Sequence, residues 1–165
     1  MELFEIKTQI DNSSVQIQEM VDSIVSDCCK ELDDYMQVVR SCFLADKILD
    51  GDLDKILVRI PVFLYSINAY LSRIDVTKGL AAEQAKYNEN NILLSSTGTV
   101  AEKMAKASNG AINDRTVQLA YKIASNLIQS KVNGAMEILA SAKKVQQRRL
   151  EEMKLTKMAG NAASF

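Results

Sequence analysis

A single proline in 165 residues constrains this chain more than any other feature of its sequence. Proline and glycine mark turns, and with one of the former and six of the latter the chain has few places to reverse. Val and Ile show little alternation, which points away from β-rich folds and toward long helices. The apolar fraction of 47% is ordinary for a folded protein and argues against global disorder. No apolar run approaches the length of a membrane span. The start, Met1-Glu-Leu-Phe-Glu-Ile6, lacks the basic-then-apolar order of a signal peptide.

Spacing of apolar residues divides the chain into three helical regions. In the first, Asp11-Asn-Ser-Ser14 offers N-cap side chains behind a tail of ten residues. The stripe Val21, Ile24, Cys28, Leu32, Tyr35, Val39, Cys42 then steps by three and four as far as Leu49. Gly51 suits a left-handed cap, and Asp52 suits the start of the next helix. There Ile56, Ile60, Phe63, Ile67, Leu71 and Ile74 continue the spacing, and Pro61 must either start that helix or kink it. Ser95-Ser-Thr-Gly98 breaks the pattern, and Thr99-Val-Ala-Glu102 is a capping box opening the third region. This region has soft points at Asn109-Gly110 and Asn133-Gly134, a stripe dominated by alanine, and a flexible tail from Gly160 to Phe165. Alanine favours a helix but buries little area, so these helices approach closely or pack thinly. The expected fold is all-α: long antiparallel amphipathic helices in a hairpin or bundle, completed by coiled-coil-like homo-oligomerisation.

Chemistry is narrowed by what the sequence lacks. Without histidine there is no Ser-His-Asp or Cys-His catalysis and no His-ligated zinc. Cys28, Cys29 and Cys42 read as reduced thiols in a cytoplasmic protein, with Cys28 and Cys42 buried on the apolar stripe. Asp50, Asp52 and Asp54 resemble the start of a calcium loop, but Lys55 replaces its glycine and Pro61 its closing glutamate. The carboxylates Glu31, Asp33 and Asp34 read as a solvated face, and no glycine-rich phosphate loop is present. The expectation is no enzyme activity, no cofactor and no metal.

Charge is the informative feature. Residues 1–58 form an acidic segment of net −8 and residues 59–165 a basic segment of net +7, within one structural domain. Near the end, Lys143, Lys144, Arg148, Arg149, Lys154 and Lys157 outnumber Glu151 and Glu152. At about 100° per residue, all these bases except Arg149 share roughly half of a helix circumference. Lys103, Lys106, Arg115, Lys122 and Lys131 add positive charge upstream. Such a stripe suits phosphates, because each contact releases condensed counterions. Tyr65, Tyr70, Tyr87 and Tyr121 read as rim residues of the core, with base stacking as their alternative role.

The order of features adds a resemblance. Ile56-x-x-x-Ile60-Pro-Val-Phe-Leu-Tyr65 precedes Ala81-Ala-Glu-Gln-Ala-Lys-Tyr-Asn-Glu-Asn90. Ala101-Glu-Lys-Met-Ala-Lys106, Tyr121-Lys-Ile-Ala124 and the run from Ala135 to Glu151 follow. This order resembles small helical phage proteins of the recombination-mediator (UvsY-like) type. The resemblance implies a ring-like homo-oligomer in the host cytoplasm that binds single-stranded DNA. It also implies help in loading a recombinase in place of a single-strand-binding protein. The alternative is a helical scaffold, a virion component or an inhibitor of a host protein, acting through protein contacts.

Overall fold

The computed structural model describes the backbone of residues 3–44 and 48–162 and the side chains of residues 14–44 and 48–158. The described residues form four helices and no strand: α1 (Leu3–Leu44), α2 (Asp50–Ser95), α3 (Val100–Gly110) and α4 (Ile112–Ala162). The all-α class is the one expected from scarce proline and three-and-four spacing.

Helix ends differ from the sequence reading in several places. Helix α1 runs from Leu3 straight through Asp11–Ser14, so no N-cap forms there. Each such polar residue disfavours a helix by less than about 0.7 kcal/mol, too little to interrupt a long amphipathic one. Helix α1 is described as far as Leu44, Ile48 and Leu49 are not helical, and Gly51 is. The Leu49 carbonyl accepts from the Asp52 and Leu53 amides at 3.2 and 3.1 Å, so α2 begins directly behind it. Asp50 and Asp52 lie in the first turn, where carboxylates complement the positive end of the helix dipole. Pro61 falls well inside α2 and does not start it. Helix α4 passes through Asn133-Gly134 and continues to Ala162; residues 163–165 of the expected tail lie outside the described residues.

Two junctions follow the sequence closely. Gly98, at φ 121°, makes the turn that the missing Cβ permits. Behind it Thr99 and Glu102 form the capping box: the Thr99 amide donates to Glu102 Oε2 at 2.8 Å, and the Glu102 amide donates to Thr99 Oγ1 at 3.4 Å. At the Asn109-Gly110 point, only Ala111 leaves helical geometry, between α3 and α4. A Cβ on Gly110 would lie 2.1 Å from Ile92 Cδ1, so α2 and α3 approach closely there and an added methyl would require Ile92 to shift.

The helices contribute to two compact units. Unit 1 (Met1–Cys29, Asn68–Gln129) buries Val21 against Ala120 and Ala124, with Ile17, Met20, Ile24 and Val25 around them. Cys29 of α1, Leu71, Ile74 and Ala85 of α2, Ala107 of α3, Ala111 and Ile128 complete its buried set among the described residues. Unit 2 (Lys30–Ile67, Ser130–Phe165) buries Leu32, Tyr35 and Val39 with Leu53, Ile56, Ile60, Leu64 and Ile67. From α4 it adds Val132, Ala135 and Ala142. Here α1 and α2 are antiparallel: Tyr35 packs on Phe63 at 5.5 Å between ring centroids and lies under Arg59 at 5.6 Å. Burial pushes the Tyr35 hydroxyl above its ordinary pKa, against the opposing pull of Arg59.

The cysteine expectation is corrected. Cys29 is fully buried, whereas Cys28 and Cys42 are half-buried, and none of the three forms a disulfide. At about 100° per residue Cys28 falls inside the arc of Val21, Leu32, Tyr35 and Val39 and Cys29 about 60° outside it, so the buried side of α1 is broader there than its apolar stripe. Partial burial, then the neighbouring Asp27 carboxylate, raise the Cys28 thiol pKa. Phe63 shifts similarly: it is half-buried while Leu64 takes the buried position.

Candidate nucleic-acid interface

The basic end of α4 belongs to unit 2, and its packing decides which bases face solvent. Ala135 and Ala142 are buried, and Val145, Gln146 and Arg149 are half-buried on the same side. Gln146 Nε2 donates to Asp54 Oδ1 at 3.5 Å. The Arg149 guanidinium donates to the Asp50 carboxylate and to the Ile48 carbonyl, tying α4 to the start of α2. Arg149 is the one base of the run that falls off the solvent stripe at 100° per residue.

Lys143, Lys144, Arg148, Lys154 and Lys157 are exposed, and no ion pair engages them among the described residues. They span about 21 Å of helix, centred roughly opposite the packed side. Leu150, Leu155 and Met158 share that arc and are 49%, 67% and 70% exposed. Glu151 accepts from Gln147 Nε2 at 3.1 Å. The surface is therefore a mainly cationic ridge with Glu151 and apolar side chains between its basic charges.

The upstream bases belong to unit 1 and are arranged differently. Lys106 and Lys122 are exposed and Lys103 is half-buried. Arg115 is engaged by the fold: it donates to both Glu89 oxygens at 2.8 and 2.9 Å and to Ser108 Oγ at 3.3 Å. Next to it, Asn88 Nδ2 donates to Asp114 Oδ2 at 2.6 Å. Lys131, in unit 2, holds Asp33 at 2.7 and 2.8 Å.

Those pairs change the meaning of the charge split. Residue 58 is no structural boundary, since unit 2 takes both acidic residues 30–58 and the basic end of α4. Unit 1 carries 8 basic and 11 acidic residues, net −3; unit 2 carries 12 and 10, net +2. Acid and base thus meet within one chain at Asp33–Lys131 and Asp50–Arg149. The sequence reading missed this intrachain pairing, whose only signal was that Arg149 lay off the stripe.

Other candidates assemble no chemistry. Asp50, Asp52 and Asp54 do not converge: they engage Arg149, Lys55 and Gln146 respectively. No group of three or more potential metal-ligating side chains occurs among the described residues. An open cleft of 650 Å³ in unit 2, lined by Ile48, Leu49, Asp50, Arg149, Glu152, Met153, Thr156 and Lys157, offers no nucleophile beside a base. Of the tyrosines, Tyr65 and Tyr87 are 81% and 63% exposed, more open than core-rim residues, while Tyr121 is half-buried. Among the described residues no helix is long and apolar enough to cross a membrane.

No family model, curated protein or solved structure matches this chain.

Proposed function

We propose that this chain is a non-enzymatic, single-stranded-DNA-binding accessory protein whose α4 ridge follows the phosphate backbone. The observation that carries this reading is the set of five exposed bases on the solvent side of α4, none held by a carboxylate among the described residues. Bases already paired release few counterions on meeting phosphate, whereas unpaired ones release them fully. Leu150, Leu155 and Met158 between the charges favour a strand whose bases are unstacked and free to touch apolar side chains. Presenting such a strand to a recombinase, as proteins of the recombination-mediator type do, is part of the same proposal.

The test is the double variant Lys144→Ala/Arg148→Ala. Titrations with oligonucleotides of different sequence, at several salt concentrations, should show similar weakening for all. The slope of log affinity against log salt should shrink by about 0.7 per lost contact, or about 1.4 for the pair. Helicity should be unchanged, because alanine is the better helix former. An unaltered affinity and slope would remove this ridge from nucleic-acid binding. The second reading, a protein-assembly role, is favoured by the apolar residues exposed along α2, and predicts that the chain shows no DNA affinity at all.

A further inference from the structure

Within unit 1, α2 carries two apolar faces. Leu71, Ile74 and Ala85 are buried in the unit. On the opposite side, Ala69, Val76, Leu80 and Tyr87 fall within an arc of about 40° at 100° per residue. All four are exposed, Val76, Leu80 and Tyr87 at 64%, 66% and 63%. Arg73 and Glu83 lie at the edges of that arc and are also exposed. Together the six positions step by four and three, the spacing of a coiled-coil seam.

We propose that this face pairs with the same face of a second copy of the chain, α2 against α2, antiparallel about a two-fold axis. The complementarity is in the sequence of the face. An axis beside residue 78 sets Ala69 against Tyr87, Arg73 against Glu83 and Val76 against Leu80, each contact occurring twice. The smallest side chain meets the largest, cation meets anion, and aliphatic meets aliphatic. Shifting the register by seven residues puts Arg73 against Val76 in one direction and Leu80 against Glu83 in the other. Parallel pairing puts Arg73 against Arg73 and Glu83 against Glu83. Only the antiparallel register about residue 78 matches every layer. Flanking it, Tyr70 meets Gln84, Ser72 meets Lys86, and Thr77 and Gly79 meet their own copies, so no like charges oppose. The seam runs about 27 Å along the helix.

The present contacts of the two charged residues do not oppose this. Glu83 pairs with Lys86 at 2.8 Å, both side chains about 70% exposed, and Arg73 lies 5.9 Å over the Tyr70 ring. Solvent-exposed pairs of this kind are weak and readily exchanged for a partner across a desolvated seam. The proposal concerns α2 alone and does not depend on nucleic-acid binding by α4.

Sedimentation equilibrium of the full chain at micromolar concentration tests it, with circular dichroism as the folding control. The unaltered chain should dimerise. Each of R73E and E83R should weaken the dimer by ~10-fold or more, since two attractive pairs become repulsive. Mixing the two single variants should restore dimers. In the mixed pair, both acidic positions lie on the R73E chain and both basic positions on the E83R chain, so each layer again sets anion against cation. The double variant R73E/E83R should return to within about threefold of the starting affinity. A chain that stays monomeric, with this face free for some other partner, would overturn the proposal. So would single variants that associate as tightly as the original, or a mixture that remains monomeric.

Discussion

The two units bury their apolar residues by different means. Among the described residues of unit 2, nine of eleven buried positions are Leu, Ile, Val or Tyr, and only Ala135 and Ala142 are small. Among the described residues of unit 1, five of ten are alanine: Ala85, Ala107, Ala111, Ala120 and Ala124. Each buried methylene contributes about 0.8 kcal/mol, so an alanine-lined core gives less stability per position. Unit 1 replaces volume with proximity, as the Gly110–Ile92 contact shows, and leaves Val76, Leu80, Tyr87 and Leu94 in water. Unit 2 fills its core with larger side chains and presents charge, and it too leaves Val58, Val62 and Tyr65 of α2 in water. The lesson is that one α2 sequence pattern supports a core of large side chains in one unit and an alanine-rich one in the other.

The largest test of this contrast is in the cores. Ile60→Ala, at a fully buried site of unit 2, should lower stability by about 2–5 kcal/mol in urea unfolding. Ala124→Leu, at a fully buried site of unit 1, should lower it by about 1–3 kcal/mol because no space awaits the added atoms. A stabilising Ala124→Leu would mean that the alanine face has room and that the contrast is wrong.

A finer measurement concerns proximity. Gly110→Ala gains helix propensity but drives a methyl into Ile92 Cδ1, the atom that Ile92→Val removes. A double-mutant cycle should therefore show about 1 kcal/mol of coupling in favour of the double variant. Additive effects would place Ile92 away from Gly110.

The smallest effect lies at the start of α3, in unit 1. Hydrogen bonds from the Thr99 amide, then the Thr99 side chain, hold the Glu102 carboxyl below its ordinary pKa. A carboxylate depressed in the folded state contributes stability above its unfolded pKa and loses it as pH falls through the folded value. Glu102→Gln should remove this dependence, so melting curves of the two chains should converge toward acid pH. Curves that stay parallel across the carboxylate range would show that the capping box does not form in solution.

Much of the fold was legible because helices are local. Scarce proline, the Thr99–Glu102 box and the Ile56–Ile60–Ile67–Leu71–Ile74 spacing are short-range signals, and each has its structural counterpart. Helix ends were harder to read. Asp11–Ser14 and Gly51 have strong cap preferences, but packing over a long helix outweighs a few tenths of a kcal/mol at one residue. Long-range pairing was not legible at all. Nothing local marks Arg115 for Glu89 or Lys131 for Asp33, so two of the bases read as solvent charges prove to hold helices together. The exposed α2 face was readable in principle from residues 69, 76, 80 and 87, but the longer stripe on the opposite side masks it in a count of apolar spacing.

A helix apolar on opposite sides also poses a problem during folding. Rolling α2 half a turn about its own axis would bring Val58, Val62, Val76, Leu80 and Tyr87 inward and release Ile56, Ile60, Leu71, Ile74 and Ala85, exchanging one apolar set for another. Hydrophobicity alone does not choose between the two orientations. Arg73 and Glu83 do, because the rolled helix would carry both into an alanine-lined interior and strip them of water. In the native orientation the same residues stay hydrated. They help fit the helix into its slot one way round, together with the Asn88–Asp114 and Glu89–Arg115 contacts that a rolled helix would break.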